Sequence, residues 1–149
     1  MAISTIQSCR EKCVEANTNL IKVKFFDALT LEEDTLAFDR VLGIGAPIIA
    51  DSINLYDSKD TLTVFNLPGS AGADQAHFLF ERTVGNKLIQ DTLSLTYART
   101  LELIKPNCGL NEIIRDLNIL SHSFDSAVVV FRELSNQNDQ INIHVFIEN

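Results

Sequence analysis

The longest regular hydrophobic pattern in the chain lies between Asn86 and Leu120 and has the period of an α-helix. Apolar residues recur there at intervals of three and four, which places them on one face of a helix of about 3.6 residues per turn. The first part of the pattern consists of Ile89, Leu93, Tyr97, Leu101 and Ile104, widened by Leu88, Leu95 and Leu103. This face is wider than the seam of a two-stranded coiled coil, so we predict a helix packed in a globular core.

Pro106 separates this helix from a second one. Proline disfavours a helical conformation at the preceding residue, Lys105, and has no amide hydrogen to donate. The helical spacing resumes at Leu110, Ile113, Ile114, Leu117 and Leu120. Because the connection between them is short, the two helices are expected to be antiparallel neighbours.

Capping residues predict two helices in the first third of the chain. One begins at Ser4 or Thr5 and ends near Asn17. The other extends to Leu42 after Thr30-Leu31-Glu32-Glu33, which fits a capping box in which the Thr30 hydroxyl and the Glu33 carboxylate satisfy helical amides.

A further helix is expected after Asp74, which can serve as its N-cap. Its apolar face would contain Ala76, Leu79, Phe80 and Val84. A competing interpretation places a hairpin turn at Gly85-Asn86 between two strands, because Phe78 and Phe80 alternate with other residues. The helical spacing after Asn86 favours the helix.

Period-two alternation indicates the strands. It occurs in Ile21–Phe25, where two lysines lie between the apolar residues, and in Ile141–Ile147. Ala127–Leu134 is rich in β-branched residues, so we predict an antiparallel hairpin in which this strand is central and Ile141–Ile147 lies near an edge.

The segment from Gly43 to Tyr56 has two interpretations. Pro47 could open a short helix. Alternatively, Ser52–Tyr56 and Thr61–Leu67 could form a hairpin, and the alternation in both segments favours this arrangement. Together the patterns predict a single α+β domain over residues 1–149, with a mixed or antiparallel sheet of about four to five strands and helices packed mainly on one face.

The net charge of the chain limits the classes of partner that it can bind. The chain of 149 residues has a net charge of −8, and the window Asp27–Asp60 contains eight acidic residues against Arg40 and Lys59. Nucleic acid and anionic membranes would be repelled, so neither is expected to bind. We interpret this acidic window as a solvated face of the protein. A docking surface for a basic protein is the less favoured alternative.

The cysteines suggest a reducing compartment. Cys9, Cys13 and Cys108 cannot all pair within one chain, and no apolar signal core or transmembrane-length run is present. We therefore predict thiols and a cytoplasmic location. Cys9 and Cys13 are spaced for a metal or a disulfide, but no second pair of ligands completes a zinc site, so no metal or cofactor is expected.

The loop from Pro68 to His77 is the most interesting candidate for chemistry. Gly69, Ser70 and Gly72 could let the backbone approach an anionic ligand, with Asp74 orienting His77 as a general base. However, the loop lacks both the GxGxxG fingerprint and the Lys-Ser/Thr of a P-loop. A flexible connector is the simpler interpretation.

A second polar cluster, His122-Ser123-Asp125, is interpreted as a loop of cap and turn formers, since residues this close in sequence seldom form a catalytic triad.

The function predicted from these features is a non-catalytic binding or regulatory module, either a protein-interaction adaptor or a ligand-sensing domain that self-associates. One alternative is a small enzyme or ligand binder with its site at the Pro68–His77 loop, and another is a structural subunit of a larger assembly. The residues expected to contact a protein partner are Glu32, Glu33, Asp34, Asn142 and His144.

Overall fold

A computed structural model describes residues 20–44, 53–57, 61–69, 74–105, 109–134 and 140–148, and within these ranges every regular element is a β-strand. The strands are β1 (Leu20–Asp27), β2 (Leu36–Ala37), β3 (Arg40–Ile44), β4 (Ile53–Asp57), β5 (Thr61–Leu62), β6 (Val64–Pro68), β7 (Gln75–Val84), β8 (Lys87–Lys105), β9 (Gly109–His122), β10 (Ser126–Val129) and β11 (Ile143–Ile147).

The described strands form three sheets. A four-stranded sheet has the order β10-β11-β1-β6, a five-stranded sheet has the order β4-β3-β7-β8-β9, and β2 pairs with β5. β1 and β11 are parallel, with Val23 opposite Ile143, whereas the other pairs are antiparallel. The two larger sheets pack face to face as a sandwich.

The core between the two larger sheets is built around phenylalanine. The rings of Phe25 in β1, Phe65 in β6 and Phe80 in β7 lie with centroids 5.3, 5.8 and 6.4 Å apart. Phe38 and Phe124 add rings at 5.3 and 5.9 Å from Phe25. Edge-to-face contacts of this kind add to the stabilisation that burial of the rings provides.

The prediction of an α+β fold is wrong, because the described part of the Asn86–Leu120 region is two long strands rather than two helices. The physical reason is that an interval of four residues fits both periods. Ile89, Leu93, Tyr97 and Leu101 share one face of a helix but also one face of a strand, since all are odd-numbered. Leu95 and Leu103, which widened the helical face, also lie on this strand face.

The helix predicted after Asp74 is also wrong, and the competing hairpin is the arrangement that forms. β7 and β8 pair from Gln75 opposite Thr96 to Val84 opposite Lys87, with Gly85-Asn86 as the turn. Gly85 has a φ of 63°. Glycine with positive φ at the first position is typical of a type II′ turn, whose twist matches that of the flanking strands.

The capping box predicted at Thr30 is part of a turn and not of a helix. The Asp27 carboxylate accepts hydrogen bonds from the amides of Leu29 and Thr30 at 2.7 and 3.1 Å. The Thr30 hydroxyl accepts from the amide of Glu32 at 3.3 Å, and Leu31 has a φ of 61°. Side chains that bond amides two residues away stabilise turns in competition with helices.

The predicted C-terminal hairpin is confirmed as an antiparallel pair of β10 and β11, but the positions of its strands are reversed. β11 lies between β10 and β1, so Ile141–Ile147 does not provide the expected edge. The strands at Ile53–Asp57 and Thr61–Leu62 form, yet they pair with β3 and β2 and not with each other. The helices predicted for Ser4–Asn17 and at Pro47 lie outside the described residues.

In the part of the chain that the structure describes, no helix has the length and apolar character needed to cross a membrane.

Candidate functional site

The two larger sheets leave an open cleft of about 470 Å³ at one end of the sandwich. β7 and β8 contribute from one sheet, the end of β11 contributes from the other, and the connection between β9 and β10 closes one side. The lining residues are Arg82, Ile89, Asp91, Ser123, Phe124, Asp125, Ile147 and Glu148.

The floor of the cleft is formed by charged residues at positions that face the core. Along β7, Phe78 and Phe80 are buried, and Arg82 follows on the same face. Asp91 in β8 lies opposite Phe80 in the strand register and therefore shares that face. The apolar pattern of the inner face thus stops at Arg82 and Asp91, where the sandwich opens.

Backbone and side-chain hydrogen bonds fix the side of the cleft. The Ser123 hydroxyl accepts from the amide of Thr92 at 2.8 Å and donates to the Asp91 carboxylate at 3.0 Å. The amide of Ser123 donates to the Thr92 carbonyl at 3.1 Å. The Asp125 carboxylate accepts from the Glu148 amide at 2.7 Å, which ties the β9–β10 connection to the end of β11. These bonds hold the polar groups in place before any ligand arrives.

Charge and apolar surface are combined in the cleft. Three acidic residues, Asp91, Asp125 and Glu148, line the cleft together with Arg82, which is only 9% exposed. Phe124 packs against Phe80 with ring centroids 5.5 Å apart. The arrangement can bind a small molecule through both opposite charge and apolar contact.

The Asp74–His77 pair is not brought together. The Asp74 carbonyl accepts from the Tyr97 amide at 3.0 Å, so the extended pairing of β7 begins there. Three residues further on, the His77 side chain points to the opposite face of the sheet. Its Nδ1 lies 2.8 Å from the Ser94 hydroxyl. Of the ligand-binding candidates in this loop, Gly69 is half-buried, whereas Ser70 and Gly72 lie outside the described residues.

The cluster His122-Ser123-Asp125, interpreted as an ordinary loop, contributes two residues to the cleft. The Ser123 hydroxyl donates to Asp91 and not to an imidazole, so no triad is formed. Sequence reasoning missed Arg82 and Asp91 because a helical period was assigned to their segments. The alternation of Phe78, Phe80 and Arg82 is the signal that could have revealed them.

The acidic residues predicted to dock a partner lie in the turn after β1. Glu32, Glu33 and Asp34 follow one another along this turn, and the Glu33 carboxylate forms an ion pair with the ammonium group of Lys24. The Glu32 carbonyl accepts from the Asp27 amide at 2.9 Å. This segment is therefore tied to β1 by its backbone, while the Glu32 side chain is exposed.

Asn142 and His144, the other predicted contact residues, have different surroundings from those expected. Asn142 is 2% exposed, and its side chain bonds to backbone groups of two other segments. His144 lies on the outer face of the four-stranded sheet, half-buried, with its ring 4.6 Å from that of Phe26. Burial, and then the charge of Lys24, lower the pKa of His144 below its usual value of 6.5.

The lowered pKa of His144 predicts a dependence of stability on pH. In the unfolded chain His144 takes up a proton near pH 6.5, whereas in the folded chain protonation requires a lower pH. The part of the free energy of unfolding that depends on neutral His144 is fully present above the pKa of the unfolded chain. It is lost as the pH falls through the lower pKa of the folded chain. Urea unfolding of the wild type and of His144→Gln measures this dependence, which the variant should lack. A folded-state NMR titration of His144 at or above pH 6.5 would contradict it.

Among the described residues, no three side chains of histidine, cysteine, aspartate or glutamate form a group that could share a metal ion. Cys9, Cys13 and Cys108 lie outside those residues.

Residues 40–147, more than two thirds of the chain, match the model of a family described as a family of unknown function (DUF6452). No curated protein and no solved structure matches the chain. The matched range begins in β3 and ends with β11, and so contains every lining residue of the cleft except Glu148.

Proposed function

The chain belongs to the family of unknown function DUF6452, and we propose that it is a non-catalytic binding domain that holds a small organic cation in the cleft at the end of the sandwich. The observation that carries this proposal is the placement of Arg82 and Asp91 on the inner face, where the strand pattern otherwise puts apolar residues. A polar group on an inner face is costly unless it is hydrogen-bonded or lines a site that water or a ligand enters.

The balance of charges favours a cationic ligand. Asp91, Asp125 and Glu148 outnumber Arg82, and the whole chain has a net charge of −8, which attracts cations over a longer range. Ile89 and Ile147 approach from the two sheets and, with Phe124, provide apolar contact. A volume of about 470 Å³ falls within the range of small-molecule sites. A primary amine on an apolar group fits this lining.

Binding without reaction is favoured by how the polar groups are engaged. The Ser123 hydroxyl is already a donor to Asp91 and an acceptor from Thr92, which leaves it poorly placed as a nucleophile. Neither His77 nor His122 is a lining residue of the cleft. The Pro68–His77 loop, the sequence-based alternative, gains no support from the position of His77 on a strand.

A cytoplasmic location is part of the same proposal. It rests on the sequence, since three cysteines cannot all pair within one chain. Docking of a basic protein on Glu32, Glu33 and Asp34 would be an additional contact, separate from the cleft.

Phenethylamine, a primary amine on an aromatic group, is a suitable probe for the cleft. Titrated into the ¹⁵N-labelled chain, it should give saturable NMR shifts at Asp91, at Ser123–Asp125 and at Glu148. Phenylacetate, which has a similar shape but the opposite charge, should give none. Shifts of equal size with both compounds, or none with the amine at millimolar concentration, would refute the proposal.

The variant Asp91→Asn should raise the Kd for phenethylamine by at least about tenfold, because a charge-assisted hydrogen bond contributes about 1.5–3 kcal/mol. Asparagine retains an oxygen that accepts from Ser123, so the side of the cleft should stay in place. Glu32→Gln is the matched control, since it also removes one negative charge but lies outside the cleft, where Glu32 is exposed. An equal loss of affinity in both variants would show that only net charge matters.

A further inference from the structure

The cleft contains a positive group as well as its acidic residues. Arg82 lies two residues beyond Phe80 on the inner face of β7 and is 9% exposed. Arginines that serve only solubility lie on outer faces, where water solvates the charge. A buried charge is costly unless an anion pairs with it. The position of Arg82 therefore favours an anionic group at this end of the sandwich.

Arg82 and Asp91 are close enough to bind one small molecule together. In the ladder of β7 and β8, Arg82 lies opposite Ile89. Asp91 follows two residues later in β8, so the two charged residues are diagonal neighbours on the same face. Diagonal neighbours in antiparallel strands are about 7–8 Å apart, within reach of long side chains. Such a spacing suits a ligand whose positive and negative groups are attached to the same carbon atom.

The acidic residues keep acceptors for an ammonium group although two of them already bind donors. Asp91 accepts from the Ser123 hydroxyl at 3.0 Å, and the Asp125 carboxylate accepts from the Glu148 amide at 2.7 Å. Each bond uses one of about four lone-pair sites on a carboxylate. Both donors are uncharged, so the negative charge of each carboxylate remains. An ammonium group, which has only donors, complements this set.

We propose that the cleft binds a free α-amino acid with an apolar side chain. The ammonium group of the ligand is held by the acidic residues, so this inference rests on the proposed function. Arg82 gains a role in recognition, because its planar guanidinium donates two parallel hydrogen bonds to the ligand's carboxylate. Ile89 and Ile147 contact the apolar side chain. A peptide N-terminus, which lacks the adjacent carboxylate, binds less tightly.

Three ligands that differ at one group test the proposal on the wild-type chain. NMR titrations give the Kd of phenethylamine, phenylalaninamide and phenylalanine at about pH 6, where their amines are protonated. Phenylalanine should bind at least about tenfold more tightly than the other two, because it adds charge-assisted hydrogen bonds to Arg82. Equal affinity for phenylalanine and phenylalaninamide overturns the inference but leaves the proposed function standing. Failure of all three to bind at millimolar concentration refutes both.

The variant Arg82→Met separates recognition of a carboxylate from simple neutralisation of the acidic residues. It should abolish the preference for phenylalanine over phenethylamine, while phenethylamine binds equally well or more tightly, because a positive charge has left the cleft. If Arg82 only balances the acidic residues, both ligands should gain affinity by the same factor. The preference would then persist, and the inference would be overturned.

Arg115→Met is the matched control. It removes the same charge from an exposed position of β9 outside the cleft, so it should retain the preference for phenylalanine. Arg82→Lys is the second variant, for use if the methionine variant does not fold. It keeps the charge but not the paired donors, and it should reduce the preference. An undiminished preference in a folded Arg82 variant overturns the proposal.

Discussion

Replacement of Phe25 by alanine should lower the free energy of unfolding by about 3–5 kcal/mol, the usual cost of removing a fully buried phenylalanine from a core. The ring of Phe25 is fully buried, and its centroid lies 5.3–5.9 Å from the rings of Phe38, Phe65, Phe80 and Phe124. These five rings come from both main sheets and from their connections. Truncation therefore opens a cavity where the two layers meet, and chemical denaturation measures the loss.

Phe26→Ala provides the matched control for this prediction. Phe26 is the next residue of β1, so its ring lies on the outer face, where it stacks on Phe146 with centroids 5.3 Å apart. It is half-buried, and its loss should cost about 1–2 kcal/mol, since solvent already occupies part of its surroundings. If both substitutions destabilised the protein equally, the assignment of inner and outer faces to β1 would be incorrect.

Local alternation made part of this fold predictable. Ile21, Val23 and Phe25 alternate with two lysines, and the structure places the apolar side chains in the core. Ile143 and Val145 follow the same rule in β11. In both strands the two faces meet different surroundings, so the period of two is visible in the sequence.

The long hairpin could not be assigned from its hydrophobic pattern. A spacing of four residues satisfies a strand and nearly satisfies a helix, so Leu93, Tyr97 and Leu101 are compatible with both. The competing signal was Gly85-Asn86, a turn whose significance depends on β7 and β8 being strands on either side. Within the segment alone the helical spacing outweighs this turn, and the pattern therefore predicts the incorrect fold class.

Pairing between distant strands could not be predicted from the sequence for a different reason. β1 and β11 are parallel neighbours although Val23 and Ile143 are separated by most of the chain. β11 is therefore internal, and nothing in its own residues indicates that β1 covers the side opposite β10. The contact between Glu148 and Asp125 extends the β10–β11 hairpin, in which Ser126 lies opposite Phe146. The cleft nevertheless needs contact between distant segments, because Arg82 and Asp91 line it from the other sheet.

The side chain of Asn142 adds hydrogen bonds between segments that its backbone also links, since its amide bonds to Lys22 and its carbonyl to Val130 and Phe131. Its Oδ1 accepts from the amide of Lys22 at 2.9 Å, and its Nδ2 donates to the carbonyls of Phe131 and Glu133 at 3.1 and 3.4 Å. The segment after β10 is thereby held to β1 and β11. With 2% exposure, this amide group has little access to water that could replace these partners.

Asn142→Ala should therefore lower the free energy of unfolding by about 3 kcal/mol, because each buried polar group left without a partner costs about 1–3 kcal/mol. Hydrogen exchange of the Lys22 amide should become faster, since the substitution removes its acceptor. Gln75→Ala is the matched control, since it also removes a side-chain amide: Gln75 is exposed at the start of β7, where surface substitutions usually change stability by less than about 0.5 kcal/mol. A variant that kept its stability but lost binding to a partner would restore Asn142 as a docking residue. Loss of stability with faster exchange at Lys22 would instead identify it as a residue that holds the fold together.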